Sequence, residues 1–280
     1  MQFNLIGPFE IVTDGGQAYA PKAPKVCQML AVLALQPREA VGSDTLVREL
    51  WGEDAPSNAI GTLQTHVYHA RRMLEDAQGD APARTLLVTQ APGYRLDIAD
   101  DEVDVHLFER FVRRAQGELD QGSPERAAHH LRRAQALWRG PMLCNVPVGG
   151  VLTGRIAHLE ELRIRALELR VETENRLGRY REFLPELRTL VNDHPLHEWF
   201  HGQLISALHR AGRRGEALQA YQDLYHILRR ELGLEPSAEL QRLQAEILHV
   251  DEHDAVRLRP RKGTVSESAI TPPWTTAVAS

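Results

Sequence analysis

Between Asn58 and Arg72 the sequence places hydrogen-bonding side chains at helical spacing, without one acidic residue. At 100° per residue, one face of a helix here would carry Asn58, Gly61, Thr62, Thr65, Tyr68, His69 and Arg72. Such groups suit DNA: arginine binds guanine or phosphate in a forked geometry, asparagine binds adenine, and threonine offers thymine a hydroxyl or a methyl group. Taken alone, the pattern fits the polar side of an ordinary surface helix equally well.

The opposite face of the same stretch carries an apolar stripe, which is typical of a helix packed on a core. Its members recur at the spacing i, i+4, i+7 and i+11: Leu63, Val67, Ala70 and Leu74. Two further helices are predicted before it, one over Pro24 to Leu35 and one from Ser43, a good N-cap, to Trp51.

Two β-prone runs follow, Thr85 to Thr89 and Tyr94 to Ile98, joined by a turn that contains Pro92 and Gly93. Three helices and a hairpin predict a winged helix-turn-helix, whose third helix enters the major groove of DNA while the hairpin lies on the adjacent backbone or minor groove. Short strands are also predicted ahead of the helices, over Phe3 to Ile6, Phe9 to Thr13 and Gln17 to Ala20. We therefore expect a small antiparallel sheet at the start of the chain.

The charge balance limits how this half could bind DNA. The chain of 280 residues has a net charge of −5, and residues 1–100 hold eight Lys and Arg against twelve Asp and Glu, a net charge of −4. Binding that depends only on phosphate neutralisation should therefore be weak. The composition excludes a histone-like coating protein and remains compatible with a sequence-specific regulator.

The second half, from Val103 to about His249, is predicted to be helical almost throughout. Leu177-Gly178-Arg179 returns as Ala211-Gly212-Arg213, 34 residues later, and Gln121-Gly122-Ser123 is an earlier copy of the same break. A period of 34 residues is that of tetratricopeptide repeats, whose helix pairs stack and present a surface for binding proteins. We predict a fold that is mainly α with small β-sheets: a winged helix-turn-helix domain, then an all-α, tetratricopeptide-like helical repeat domain.

Motifs for catalysis are absent from the sequence. It contains no P-loop, no dinucleotide-binding glycine motif and no metalloprotease motif. His129-His130 and the pair His66 and His69 lack further ligands at fixed spacing, so no metal site is predicted. We expect no catalytic residue, no cofactor and no enzyme activity, no membrane segment, and a reducing cytoplasm for the two separated cysteines.

Several motifs occur together in a known order. They are Leu50-Trp51-Gly52, Leu63-Gln64-Thr65-His66-Val67, Pro92-Gly93-Tyr94-Arg95-Leu96, Ala136-Leu137-Trp138-Arg139-Gly140-Pro141 and Glu231-Leu232-Gly233-Leu234-Glu235-Pro236. The first three resemble the effector domain of response-regulator transcription factors. The whole set over residues 1–250 resembles the Streptomyces antibiotic regulatory protein family, in which a bacterial transcriptional activator domain follows the winged helix.

The resemblance implies a winged-helix DNA-binding domain over residues 1–100, an activator domain over 101–250 and a disordered tail over 251–280. It implies a transcriptional activator that binds direct repeats of double-stranded DNA as a head-to-tail homodimer, upstream of promoters for antibiotic or secondary-metabolite biosynthesis. Such a protein would recruit the RNA polymerase holoenzyme and act in the cytoplasm at the nucleoid.

The same resemblance assigns roles to individual residues. Thr65 and His69 would contact base edges, and His66, Arg71 and Arg72 would contact phosphates. The remaining residues of the predicted DNA surface are, on the recognition helix and then on the wing, Asn58, Thr62, Tyr68, Thr89, Gln90 and Arg95.

Structural alternatives remain for three of these residues. His66 could bond within the fold, Arg71 could pair with Glu75 one turn later, and Arg95 could pack its stem under the wing. The alternative for the whole chain is a tetratricopeptide-like adaptor, or a repressor without an activating role. A nuclease or ligase built on a winged helix is remote, because the motifs for metal and phosphate binding are missing.

Three positions depart from the family pattern. Gln90-Ala91 stands where arginine-proline is common, which removes a cation from the wing. Gly61 lies in the first turns of the recognition helix, where glycine costs about 1 kcal/mol relative to alanine. The segment from Cys144 to Gly154 is richer in valine and glycine than expected.

Overall fold

The computed structural model describes residues 1–21, 23–78 and 84–257, with side chains described through residue 249. The chain divides into two compact units, residues 1–187 and residues from 188 onward. The domain boundary that the sequence predicts at residue 100 falls inside the first unit, where one buried hydrophobic core continues from Phe3 to Leu169.

The first unit begins with an antiparallel three-stranded sheet in the order β1-β2-β3. The strands are β1 (Gln2–Asn4), β2 (Glu10–Val12) and β3 (Ala18–Tyr19). Phe3 pairs with Ile11 in this sheet, and both side chains are fully buried. The predicted sheet is present, with shorter strands than the apolar runs suggested.

Three helices follow in the predicted order: α1 (Pro24–Ala34), α2 (Ser43–Trp51) and α3 (Ala59–Gln78). Their shared core includes Leu30, Leu46 and Leu63, each with no exposed surface. The N-cap of α2 is Gly42, so the prediction that Ser43 is the N-cap was wrong by one residue. The amide and hydroxyl of Ser43 instead donate to the carbonyl of Pro92, at 3.2 Å and 3.3 Å.

The wing is a three-stranded antiparallel sheet in the order β4-β6-β5. Its strands are β4 (Val41–Gly42), β5 (Leu87–Gln90) and β6 (Gly93–Leu96). Sequence reasoning missed β4, which precedes α2 and joins the wing to the helices. Gly93 allows that pairing, because a Cβ there would lie 2.0 Å from the carbonyl oxygen of Val41.

The rest of the first unit is a helical bundle that shares the core of the winged helix. A single 3-10 turn over Asp100–Glu102 leads to α4 (Asp104–Asp120), α5 (Pro124–Gln135) and the long helix α6 (Gly150–Arg176). Phe108 and Phe111 of α4 are buried, and Phe108 meets the Trp138 ring edge-on at a centroid distance of 5.5 Å.

The three sequence breaks at Gly122, Gly178 and Gly212 form the same helix-ending turn. Each glycine has a positive φ, between 71° and 77°. In each turn, the amide of the next residue donates to the carbonyl five positions earlier, as in Ser123 to Glu118 at 2.8 Å. This is the Schellman motif, in which glycine adopts the left-handed conformation after the last helical residue. The repeated sequence therefore encodes a repeated helix–turn–helix unit.

Helix α7 (Tyr180–Asp193) ends within the second unit, which also contains α8 (Glu198–Arg210), α9 (Arg214–Glu231) and α10 (Ala238–Arg257). Phe200, Ile205 and Leu224 are fully buried in it. Helix α10 continues beyond residue 251, where the sequence predicts the start of the tail, and residues 258–280 lie outside the described part. The predicted fold class, mainly α with small sheets, is confirmed.

Candidate DNA-binding surface

Helix α3 buries the apolar stripe that the sequence predicts and exposes the opposite face. Leu63, Val67, Ala70 and Leu74 are each at most 2 % exposed. On the other side Thr65, Tyr68, His69 and Arg72 are exposed, and Tyr68 keeps 55 % of its surface accessible. A ring this accessible on a helix is free to contact a partner.

The start of α3 uses several predicted contact groups for its own structure. Oδ1 of Asn58 accepts a hydrogen bond from the amide of Gly61 at 3.2 Å, which caps the helix. A Cβ on Gly61 would lie 2.5–2.9 Å from the Asn58 amide group. The glycine therefore makes room for the capping side chain, and this explains its presence despite its unfavourable helix propensity.

The hydroxyl groups of Thr62 and Thr65 bond back to the helix. They donate to the carbonyls of Asn58 and Gly61, four residues earlier, at 3.0 Å and 3.1 Å. Bonding of this kind uses the hydroxyl hydrogen. What each threonine can still offer to DNA is its methyl group and its oxygen lone pairs.

Tyr68, His69 and Arg72 form a connected group on the exposed face. The rings of Tyr68 and His69 meet edge-on with centroids 5.5 Å apart. Arg72 approaches the Tyr68 hydroxyl, with Nη1 and the oxygen 3.4 Å apart. That hydrogen bond raises the pKa of Arg72, so the exposed guanidinium is fully charged at any physiological pH.

His66 lies between helices rather than on the exposed face. Its ring stacks on Trp51 of α2, with centroids 5.9 Å apart and planes 28° from parallel. Burial lowers the pKa of His66, and the nearby His69 and Lys25 lower it further. The imidazole is therefore neutral near pH 7, whereas the predicted phosphate contact relies on its gaining a proton.

Arg71 binds the wing. Its Nε donates to the carbonyl of Leu87 at 2.9 Å, and its Nη2 donates to the Thr89 hydroxyl at 2.8 Å. Both acceptors belong to β5, so the guanidinium joins α3 to the wing sheet. This geometry differs from both sequence-based expectations, the phosphate contact and the pair with Glu75.

The tip of the wing is polar, and the arginine of the wing lies in the sheet behind the tip. Thr89 and Gln90 are exposed at the end of β5. Arg95 is half-buried on β6, 4.0 Å from the carboxylate of Asp97, and within the described structure its buried Nε has no hydrogen-bond partner. The stem of Arg95 thus lies in the sheet, as one sequence-based alternative proposed.

The described part of the chain shows neither a metal site nor a membrane-spanning helix. No group of three or more His, Cys, Asp or Glu in that part of the chain has an arrangement that could hold a metal ion. None of the described helices is both long enough and apolar enough to span a membrane.

Both parts of the chain match known protein families. A family model described as bacterial transcriptional activator domain matches residues 103–248, and one described as transcriptional regulatory protein, C terminal, matches residues 17–96. Regulatory protein DnrI of Streptomyces peucetius is 41 % identical over 254 residues, which cover 90 % of this chain and 93 % of DnrI. Transcriptional regulator RedD of Streptomyces coelicolor is 36 % identical over 253 residues, which cover 90 % of this chain and 71 % of RedD.

A solved structure has the same fold. Mycobacterium tuberculosis EmbR, solved in complex with a low affinity phosphopeptide, is 32 % identical and superimposes with a TM-score of 0.81. The match covers 89 % of this chain and 65 % of that chain. The winged helix and the helical domain that follows it in sequence are thus shared with a known regulator. The chain belongs to the Streptomyces antibiotic regulatory protein family of DNA-binding transcriptional activators, which are not enzymes.

Proposed function

We propose that this activator binds direct repeats of double-stranded DNA upstream of biosynthetic promoters, as a head-to-tail homodimer, and recruits the RNA polymerase holoenzyme there. The observation that carries the proposal is the exposed face of α3, which holds Tyr68, His69 and Arg72 and no acidic residue from Asn58 to Arg72. The names of two relatives, a regulatory protein and a transcriptional regulator of Streptomyces, support a regulatory role. The target among biosynthetic genes is what membership of the antibiotic regulatory protein family implies. The cytoplasmic nucleoid is the proposed location.

The proposed head-to-tail arrangement of the protomers implies a direct repeat. One recognition helix and one wing make an asymmetric contact with one stretch of major groove and the groove beside it. Two protomers in the same orientation would therefore need two copies of the site in the same direction. Their separation should be close to one helical turn of DNA, about 10–10.5 base pairs, or a multiple of it.

We propose a division of labour among the predicted contact residues. Thr65 and His69 contact base edges, and Arg72 contacts phosphate, because these side chains are exposed on α3. Arg71 acts through the wing that it holds, and His66 acts through the packing of α3 on Trp51.

The other members of the predicted set are secondary in this proposal. Asn58 shapes the start of α3, while Thr62 and Tyr68 contribute contacts beside the base-reading residues. Thr89 and Gln90 lie at the tip of the wing and approach the adjacent groove or backbone, and Arg95 supports the sheet behind them.

We also propose that function divides near residue 100, with DNA recognition before it and polymerase contact in residues 101–250. The two family matches, 17–96 and 103–248, lie on either side of that residue and support this division.

The experiment that tests the proposal is selection of binding sites from random DNA duplexes with the full chain, followed by footprinting of the enriched sequence. The expected result is a tandem repeat protected on one face of the duplex. The absence of any enriched sequence would refute the proposal and would favour a role as a protein adaptor.

A second arm of the experiment uses single variants at two exposed polar residues of α3. His69→Ala should weaken binding to the selected site more than binding to random DNA, because it removes a base contact. Arg72→Ala should weaken both, because phosphate contacts carry no sequence information. Equal losses on the two DNAs for His69→Ala would show that His69 does not contact bases.

A third arm tests activation in transcription reactions with purified polymerase holoenzyme. The selected repeat should raise the yield of transcript when it is placed upstream of a promoter, and a scrambled repeat at the same place serves as the control. A fall in yield on the selected repeat would show a repressor instead.

A further inference from the structure

The start of helix α6 is bound by a carboxylate from the winged helix. Glu49 of α2 is only 3 % exposed, and its Oε1 accepts a hydrogen bond from the amide of Gly149 at 2.7 Å. Its Oε2 accepts a second hydrogen bond from the amide of Val151, also at 2.7 Å. The residues lie about one hundred positions apart in sequence, so the contact joins the DNA-binding part to the helical part of the first unit.

The surroundings of Glu49 can hold a buried carboxylate without an ion pair. The first amides of a helix lack intrahelical partners and carry the positive end of its dipole, and this end stabilises a negative charge. Gln28 of α1, itself 2 % exposed, donates from Nε2 to the Glu49 carbonyl at 2.8 Å and reaches Oε1 at 3.4 Å. Among the described residues, no Lys or Arg forms an ion pair with this carboxylate. The carboxylate therefore serves as the cap of α6.

At position 149 the backbone approaches Glu49 so closely that only glycine fits. A Cβ on Gly149 would lie 2.4 Å from the Glu49 carbonyl oxygen and 2.7 Å from the Glu49 Cδ. No rotation of a side chain could remove the first clash, because the oxygen is part of the backbone. Within the segment from Cys144 to Gly154, Gly149 thus has a structural reason.

Helix α2 packs directly against the recognition helix α3. At the end of α2, two residues after Glu49, the Trp51 ring stacks on His66 of α3. Helix α6 is therefore separated from the DNA-binding surface by one helix, and the Glu49 carboxylate connects the two.

A second contact holds the same two parts together from another side. Asp104, at the start of α4 and 2 % exposed, accepts hydrogen bonds from the amides of Leu5 and Ile6 at 2.8–2.9 Å. Arg139 lies 3.6 Å from the same carboxylate. Loss of the Glu49 contact alone should therefore leave the two parts joined and change only their relative orientation.

We propose that Glu49 is a positioning residue for activation: by capping α6 it fixes the orientation of the activator domain relative to the DNA-bound recognition helix. Glu49 does not touch DNA, so its loss affects where the activator domain is held and not how the site is read. The proposal rests on the proposed recruitment of polymerase, which needs the activator domain in one place relative to the promoter.

The test compares the full chain with the variants Glu49→Ala and Glu49→Gln, and with Glu53→Gln as a matched control on the exposed loop after α2. Glutamine keeps one acceptor oxygen but places an NH₂ group against an N–H donor, so it should lose one of the two hydrogen bonds. If alanine prevents folding, the glutamine variant alone decides the result.

Three measurements separate a positioning role from a general loss of stability. Hydrogen exchange should accelerate at the amides of Gly149 and Val151 in the variants and stay slow in the control. Spin labels at Glu53→Cys and at Glu161→Cys, an exposed position on α6, should give a broader distance distribution in Glu49→Ala than in the parent. Both carry Cys144→Ser, because Cys144 is an exposed free cysteine. The affinity for the selected DNA site should change by less than about twofold.

Activation is then measured with DNA saturated by protein. Transcript yield should fall at least about fivefold in Glu49→Ala, less in Glu49→Gln and not at all in Glu53→Gln. Full activation by Glu49→Ala would overturn the proposal, whether or not exchange at Gly149 becomes faster. A loss of DNA affinity as large as the loss of transcript yield would overturn it as well. If the parent chain itself gives no activation, polymerase recruitment fails as a function, while the distance distributions still show whether Glu49 fixes the orientation.

Discussion

Replacement of Arg71 by methionine tests whether this arginine acts on the wing or on DNA. The sequence predicts a phosphate contact, whereas the structure has its guanidinium on Leu87 and Thr89 of β5. Methionine keeps much of the aliphatic stem and removes both donors. If this contact positions the wing, the wing should be less ordered in the variant. The DNA affinity should then fall although no phosphate contact is lost.

The size of the effect follows from the two hydrogen bonds. Hydrogen bonds from a charged group contribute about 1.5–3 kcal/mol each when they are buried. Arg71 is only half-buried, so solvent screening reduces this, and we expect the pair together to contribute about 1.5 kcal/mol. If the wing must be ordered again on binding, that free energy appears as an approximately tenfold higher Kd.

The assay is fluorescence anisotropy with the selected site, at salt concentrations from about 50 to 200 mM. Arg71→Met should raise Kd at every salt concentration and leave the slope of log K against log salt unchanged. Arg72→Met is the matched control, because loss of one phosphate contact should reduce that slope by about 0.9. An equal reduction of the slope by Arg71→Met would refute the reasoning and would assign Arg71 to a phosphate.

Three further variants probe the elements that hold this surface. Asn58→Ala removes the cap of α3 and should lower the free energy of unfolding by about 1 kcal/mol, measured by urea denaturation; an unchanged midpoint would contradict the capping role. Gly93→Ala forces a Cβ against the Val41 carbonyl and should destabilise the first unit by about 3 kcal/mol, seen as a lower Tm; a Tm equal to the parent's would contradict the close approach. Burial lowers the pKa of His201, despite its hydrogen bond with the Pro195 carbonyl. The unfolded chain therefore binds this proton at higher pH, so the second unit should lose stability as pH falls below about 6.5, the ordinary histidine value. His201→Asn should reduce the difference in stability between pH 7.5 and 5.5, measured by denaturation at each pH, and an unchanged difference would assign the effect to other groups.

The elements predicted correctly are those whose signals are local in sequence. The stripe from Leu63 to Leu74 repeats at helical spacing, so both the helix and its buried face follow from it. The breaks at Gly122, Gly178 and Gly212 were recognisable because glycine is favoured where a helix ends in the left-handed conformation. Strand β4 was missed, because two residues are too few for any alternating pattern.

The features missed at the DNA-binding surface depend on contacts between distant residues. A helical wheel gives the direction of a side chain and not whether its hydrogen bonds are already used. Arg71 lies on the predicted helix, but its partners are 16 and 18 residues away, in a strand whose register the sequence does not fix. His66 of α3 likewise stacks on Trp51, which belongs to a different helix, α2.

These contacts also change the electrostatic expectation for DNA binding. Of the cations that the sequence offers near the reading face, Arg71 is bound to β5, Arg95 lies beside Asp97, and the Lys25 ammonium donates to the Leu50 carbonyl. Arg72 remains exposed; its guanidinium contacts the Tyr68 hydroxyl, and its charge interacts with those of Asp76 and Glu75. Because the described part of this face offers few available cations and the charge balance is acidic, affinity should depend weakly on salt. Discrimination must then come from the shape and polar groups of the exposed face, which is the property that a specific regulator needs.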